Sequence, residues 1–143
     1  MFNRVPKSVV LASLLGLTPI LLGLVSTFNI SINESLKEEL IRIAIIYSGF
    51  ILSFMSGCVF YVSSLERERV LLLWFSITPV ILALVSIIVP FMQSFVLALG
   101  FLVVLEIERK LHGLRSLPEW WLALRFPMTF LVVLLLIFLG FRV

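Results

Sequence analysis

Aspartate is absent from this chain, cysteine and histidine occur once each (Cys58 and His112), and only 13% of its 143 residues are charged. A single cysteine excludes an intrachain disulfide. One histidine leaves neither a bis-histidine haem nor a conventional metal centre enough ligands. With no Asp, and with each Glu read into a loop or a helix end, convergent nucleophiles, acids or metals are missing, so no enzyme is expected. No cofactor and no metal are expected either. Cys58 reads as a small apolar filler in mid-membrane, and His112 as an interfacial loop residue near Glu108.

What the chain has instead is apolar surface. Hydrophobic residues make up 62% of it, and its mean hydropathy is +1.22. A soluble domain is nearer half apolar and a quarter charged. A small chain cannot bury so much, because much of its area stays exposed. The composition is that of an integral membrane protein, and the net charge of +3 then bears on topology rather than on nucleic acid.

Charged residues cut the chain into uncharged runs: 26 residues from Ser8 to Asn33, 23 from Ile43 to Leu65, 36 from Val70 to Leu105, and 16 from Phe126 to Phe141. About 20 apolar residues cross the hydrocarbon layer as a helix. The last run reaches that length if Arg125 and Arg142 snorkel to the two interfaces. The 36-residue run is either one long tilted helix or two short spans hinged at Pro90, beside polar Gln93 and Ser94. Basic residues decide between them. Five spans put Arg4, Lys7, Arg67, Arg69, Arg109, Lys110, Arg115 and Arg125 on one side against Lys37, Arg42 and Arg142, eight to three. Four spans give five to six, which is no bias.

The expected fold is therefore an all-α bundle of five transmembrane helices, 8–28, 41–63, 70–89, 91–107 and 124–141. Its N-terminus is inside and its C-terminus outside, with an outer loop at 29–40 and a cytoplasmic interfacial loop at 108–123. The whole chain, 1–143, forms one transmembrane domain. The first run follows a basic stretch, MFNRVPK, but is long for a signal peptide and lacks a good cleavage site, so it reads as a retained helix. In the outer loop, Asn33, Glu34, Leu36, Glu38, Glu39 and Leu40 could form a short surface helix leading into the second span.

Helices in lipid associate where small residues let backbones approach. Gly49, Ser53 and Gly57, with Ser56 beside them, form such a stripe in the second span. Gly16 and Gly23, with Ser13 and Thr27, form one in the first. Two spans share a Thr-Pro step. GLTPILLGLVS (16–26) and SITPVILALVS (76–86) agree at six of eleven positions, and Pro19 and Pro79 should each kink a helix and release a carbonyl. Neighbouring hydroxyls can satisfy the released group. The following helices end in LERER (65–69) and LEIER (105–109), consistent with a parallel duplication of helices 1–2 and 3–4 or with chance in an apolar alphabet. Glu66, Arg67, Glu68 and Arg69 form a loop of alternating sign. Glu106 and Lys110 are spaced to pair on a solvated helix end.

Between the last two helices lies LHGLRSLPEWWLALRFPMT (111–129). Trp120 and Trp121 have the amphipathic rings that settle at headgroup depth, Arg125 can reach phosphates, and Pro127 fits the first turn of the fifth helix. The stretch reads as an interfacial anchor or as an element that recognises a partner or a lipid headgroup, with Pro118, Trp120, Trp121, Arg125 and Thr129 as its candidate residues.

LPEWWLALRFPMT, with Leu117, Pro118, Trp120, Trp121, Leu124, Arg125, Met128 and Thr129 as fixed points, resembles the LP-x-W-Y-x-x-LR-x-x-LT signature of a small membrane family. That family is a bacterial domain of unknown function that includes the mitochondrial transmembrane protein 69. ILSFMSG (51–57) with Phe60 resembles the family's ILSFLGG-x-x-W stretch. Trp121, Ser56 and Phe60 depart from it by replacing a tyrosine, a glycine and a tryptophan, and Val59 stands where the family often has a polar or basic residue. The resemblance implies a five-helix protein of the bacterial cytoplasmic membrane, or of the mitochondrial inner membrane if eukaryotic, and implies no activity.

Two functions are left to weigh. An accessory or assembly subunit would dock on a larger membrane complex, respiratory by the family resemblance, through its aromatic–basic loop and small-residue faces. A carrier or binding protein would take a lipid or quinone-like amphiphile, with Thr18, Ser53, Thr78 and Ser86 lining a cavity. The interiors of the spans contain no ionisable group to mark an ion pathway, Arg42 at a boundary being the closest. The first function is the expectation, with membrane lipids and a larger membrane-protein complex as partners and no nucleic acid.

Overall fold

The computed structural model describes residues 5–28, 33–66 and 70–142. The described residues are helical and contain five helical segments long and apolar enough to cross a membrane. Arg4, residues 29–32 of the outer loop, and Arg67, Glu68 and Arg69 of the alternating-sign loop lie outside them.

The first segment is α1 (Lys7–Leu15) followed by α2 (Thr18–Ser26), and the third is α4 (Val70–Phe75) followed by α5 (Thr78–Ile88). Each is expected as one kinked helix and is instead interrupted, with Pro19 and Pro79 in the first turn of the second piece. Proline has no amide to bond the carbonyl one turn back and crowds it, so the ladder stops and restarts. Both interruptions are bonded alike. Gly16 N–H donates to the Ala12 carbonyl and Leu17 N–H to that of Leu14; 60 residues on, Ser76 N–H donates to Leu72 and Ile77 N–H to Trp74. The Val80 amide then bonds Ile77, which leaves the Ser76 carbonyl over. The Ser56 hydroxyl donates to it from the neighbouring helix.

That helix, α3 (Glu34–Leu65), has 32 residues, roughly 48 Å at 1.5 Å per residue. Asn33 caps it by accepting from Ser35 N–H at 3.1 Å. The short surface helix expected in the outer loop is thus the start of α3, continuous with the span. Along it Lys37 pairs with Glu34 at 3.4 Å and Arg42 with Glu39 at 2.7 Å, on exposed surface where such pairs contribute little. A 3₁₀ turn at Pro90–Met92 joins α5 to α6 (Gln93–Gly113), and α7 (Trp121–Arg142) closes the chain. The connection expected to fill 108–123 shrinks to seven residues, 114–120, because both helices run past the apolar boundary. Arg115, at φ 59°, takes the left-handed turn that ends α6, and Ser116 N–H bonds back to the Leu111 carbonyl. Pro127 consequently lies inside α7 rather than in its first turn.

At the bundle centre α3 packs on α6. The first segment lies against α3 and α7, and α5 lies against α3 and α6. Ser116 hydroxyl donates to Glu66, which ties the end of α3 to the α6–α7 connection. At the opposite end Arg142 stacks over the Phe28 ring at 4.2 Å. The first and last segments therefore run parallel, as an odd number of crossings requires. Large apolar side chains such as Leu71, Ile87 and Phe130 face outward, where lipid is their solvent.

The close approaches partly follow the expected small-residue faces. A Cβ on Gly23 would stand 2.5 Å from the Ala44 Cβ, so α2 and α3 meet backbone to backbone there. A Cβ on Gly16 would press on the Ser13 carbonyl oxygen of its own segment at 3.3 Å, and across the interface it would find the Tyr47 hydroxyl at 3.6 Å. The stripe in the second span behaves differently. Gly57 faces outward with nothing within 4 Å, and a Cβ on Gly49 would find only Leu97, at 3.9 Å. Of that stripe's residues only Ser56 lies on the α3 face that packs, which runs through Ala44, Ser48, Leu52, Met55, Ser56, Val59 and Ser63. Two glycines outside both stripes are also closely covered: a Cβ on Gly100 would strike the Leu52 side chain, and one on Gly140 would meet Phe95 at 2.9 Å.

Candidate functional site

The buried positions of α6 include Leu97, Phe101, Val104, Ile107, Glu108 and Leu111. Steps of four, three, four and three through 97, 101, 104, 108 and 111 define a helix–helix seam, and Glu108 occupies it where a leucine would be usual. Its side chain is 1% exposed. Glu106, Arg109 and Lys110 sit on the solvated side, where Glu106 is paired by Arg109 at 2.9 Å and, more distantly, by Lys110 at 3.9 Å. A glutamate expected at a helix end is thus in the core.

Opposite it, α7 brings Trp121, Arg125 and Thr129 onto one face, four residues apart. Trp121 Nε1–H donates to Glu108 Oε1 at 3.2 Å, and Arg125 Nε–H is shared by both carboxylate oxygens at 3.0 and 2.9 Å. A fork-to-fork ion pair would also engage a terminal nitrogen of the guanidinium. Here Arg125 Nη2 is buried and meets no partner among the described residues. One turn further along, Thr129 is 2% exposed, and its hydroxyl also meets no partner there. The Ser63 hydroxyl, near the end of α3, likewise meets no partner there, whereas Ser26 donates to Gly23, Ser48 to Ala44 and Ser86 to Ala83 of their own helices, each at 2.7 Å. Thr129 does not.

Both residues line a cavity of about 440 Å³ between the first segment, α3 and α7, with Phe101 of α6 at its back. Its walls are otherwise largely apolar: Ala12, Ile20, Phe54, Met128 and Val132 are typical. Phe54 is 66% exposed, so that side opens toward lipid. From Arg125 to Val132 the α7 wall descends roughly 10 Å. On the opposite wall α1 buries none of its own residues. The cavity is thus polar at one end, apolar along its depth, and bounded by a thinly packed helix.

Of the other expected residues, Pro118 is exposed and Trp120 half-buried, its ring 5.7 Å from that of Trp121. Gly49, Ser53 and Ser86 line a separate groove of about 500 Å³ between α3 and α5, with Arg42 and Gln93 also on its wall. Its hydrogen-bonding groups include Ser86, already satisfied by Ala83, and Arg42, held by Glu39. Among the described residues no group of three or more His, Cys, Asp or Glu is gathered to hold a metal.

Residues 5–140 match the family model described as "Protein of unknown function (DUF3429)". The chain belongs to this family. The match takes in every element of the site, from α1 through Thr129, and its description assigns no activity. No curated protein and no solved structure matches the chain.

Sequence reasoning reached Trp121, Arg125 and Thr129 as part of an interfacial anchor or of an element that recognises a partner or a lipid headgroup; the fold sets Trp121 and Arg125 against Glu108 and buries Thr129. It missed Glu108 and the cavity. The seam spacing in α6 was the available signal, and it ended unread because the apolar run stops at Leu105.

Proposed function

We propose that this multi-pass membrane protein is a non-catalytic binding protein or carrier for an amphiphile, lipid-like or quinone-like, held in the cavity beneath the α6–α7 connection. The observation that carries the reading is the pair of unsatisfied donors, Arg125 Nη2 and the Thr129 hydroxyl, on one cavity wall. A buried donor without an acceptor costs about 1–3 kcal/mol. A bound oxygen would remove that cost, and the apolar depth below suits a hydrocarbon tail. Mass spectrometry of extracts from the purified protein tests it. A near-stoichiometric amphiphile should accompany the protein and be lost in Ala12→Trp, which fills the cavity from α1. An amphiphile-free preparation, or an unchanged content in Ala12→Trp, refutes the reading.

Docking on a larger membrane complex is the second reading. Trp121 and Arg125 are engaged with Glu108, so a partner would have to grip the connection through Pro118 and Trp120, of which Pro118 is exposed. Native-gel migration of a mild detergent extract separates the two: a high-mass band lost in Trp120→Ala supports docking. The eight-to-three distribution of basic residues supports a cytoplasmic or matrix location for the α6–α7 connection, with the N-terminus on that side. The matching interruptions at Gly16–Leu17 and Ser76–Ile77 favour a duplicated helix pair.

A further inference from the structure

Resting on the binding reading, we infer that the cavity takes an uncharged amphiphile whose head presents a carbonyl oxygen, rather than an anionic headgroup. Among the described residues Arg125 is the one ionisable residue on the cavity wall, and Glu108 already balances its charge at 2.9 Å. The buried groups left without a partner on this wall are a guanidinium N–H, which can only donate, and, one helical turn away, a hydroxyl free to donate; of the cavity's serines, Ser13 donates to the Val9 carbonyl and Ser8 is exposed. A neutral acceptor satisfies both and leaves the cavity electrically balanced. A phosphate or carboxylate would bring a charge with no partner into an apolar wall, where ion desolvation outweighs two hydrogen bonds. Orientation follows from the same geometry. The carbonyl lies at the level of Arg125 and Thr129, and the tail runs past Met128 toward Val132 and Ile20. A quinone ring and the ester of a neutral glycerolipid share this chemistry.

Competition measured by native mass spectrometry on the detergent-purified full chain decides it, with decylubiquinone, dioctanoylglycerol, dioctanoylphosphatidate and inorganic phosphate as probes, and decylbenzene as the control without carbonyls. At least one of the two neutral carbonyl probes should bind more tightly than phosphatidate and decylbenzene. Thr129→Val should weaken it about tenfold, and Thr129→Ser should restore it. Whichever neutral probe responds to Thr129→Val identifies the source as quinone or ester. Thr129→Val removes a hydroxyl that bonds nothing in the described fold, so the variant should fold as the parent does, checked by its melting curve. Three results overturn the inference while sparing amphiphile binding: phosphatidate or free phosphate binding most tightly with sensitivity to Thr129→Val, decylbenzene binding as well as the carbonyl probes, or a bound neutral probe indifferent to Thr129→Val. Failure of every probe, in a preparation that also carries no amphiphile, refutes the binding reading itself.

Discussion

Removing the Glu108 carboxylate should be among the most destabilising single changes in the chain, and removing its partner as well should recover most of the loss. Glu108→Leu leaves two donors without an acceptor, Arg125 Nε–H and Trp121 Nε1–H. Breaking one side of a buried pair costs about 3–5 kcal/mol, because the surviving charge stays desolvated. The Arg125 side chain keeps 15% of its exposure against 1% for Glu108, so part of its hydration survives and the expected loss lies near 3 kcal/mol. In Glu108→Leu/Arg125→Leu no charge is stranded, and the seam position regains an ordinary leucine. Only Trp121 is short of a partner, at about 1 kcal/mol. The coupling between the two positions should therefore exceed about 2 kcal/mol. Fluorescence-monitored unfolding of the four proteins in one detergent measures it. Single substitutions costing under about 1 kcal/mol, or a double variant as unstable as the sum of the singles, would show that the pair is solvated like Glu106–Arg109 and that the buried seam is wrong.

The glycines should separate by what faces them. Gly23→Ala, with its Cβ 2.5 Å from that of Ala44, should destabilise by about 1–3 kcal/mol. Gly57→Ala, opening onto empty space, should be neutral or stabilise by up to about 1 kcal/mol through helix propensity; equal effects at the two sites would contradict the packing described. Ser56→Ala deprives the Ser76 carbonyl of its donor and should cost about 1–2 kcal/mol in the same unfolding assay, whereas no effect would mean that another group satisfies the carbonyl. In a Cys58→Ser background, cysteines placed at Lys7 and at Phe141 should be labelled from opposite faces of the membrane. Labelling from one face would reduce the crossings to an even number.

Helix number and the hinge at Pro90 were legible because charge is so costly in hydrocarbon that its placement segments the chain. The same rule concealed the site. A segment boundary drawn at Leu105 treats everything beyond as solvated, yet α6 continues to Gly113 with one face still packed, so Glu108 and Glu106, two residues apart, have opposite environments. Periodicity sees that difference where hydropathy does not. Spacing of small residues along one helix proved a poor guide to contact, since the stripe through Gly49 and Gly57 does not say which face a neighbour covers. Gly100 and Gly140 have no stripe, but each sits where a large side chain of another helix, Leu52 or Phe95, needs its room. That information lies in the partner helix, and no single segment contains it.

Stability alone gives no reason for the Glu108–Arg125 pair. Two well-packed apolar residues would serve such a seam as well or better, because the desolvation of both ions offsets much of their attraction. What apolar residues cannot do is hold a hydrogen-bond donor at a fixed place on an otherwise oily wall. The carboxylate accepts from Nε, the Trp121 indole restrains one of its oxygens, and Nη2 of the guanidinium, beside the cavity, has no partner among the described residues. Thr129 repeats the departure in a second chemistry: its hydroxyl gives up the bond to its own helix that Ser26, Ser48 and Ser86 all make. Each feature alone is a small cost with no local return. Their occurrence on one face of α7, a single turn apart and on the wall of the same cavity, is what a missing acceptor would explain.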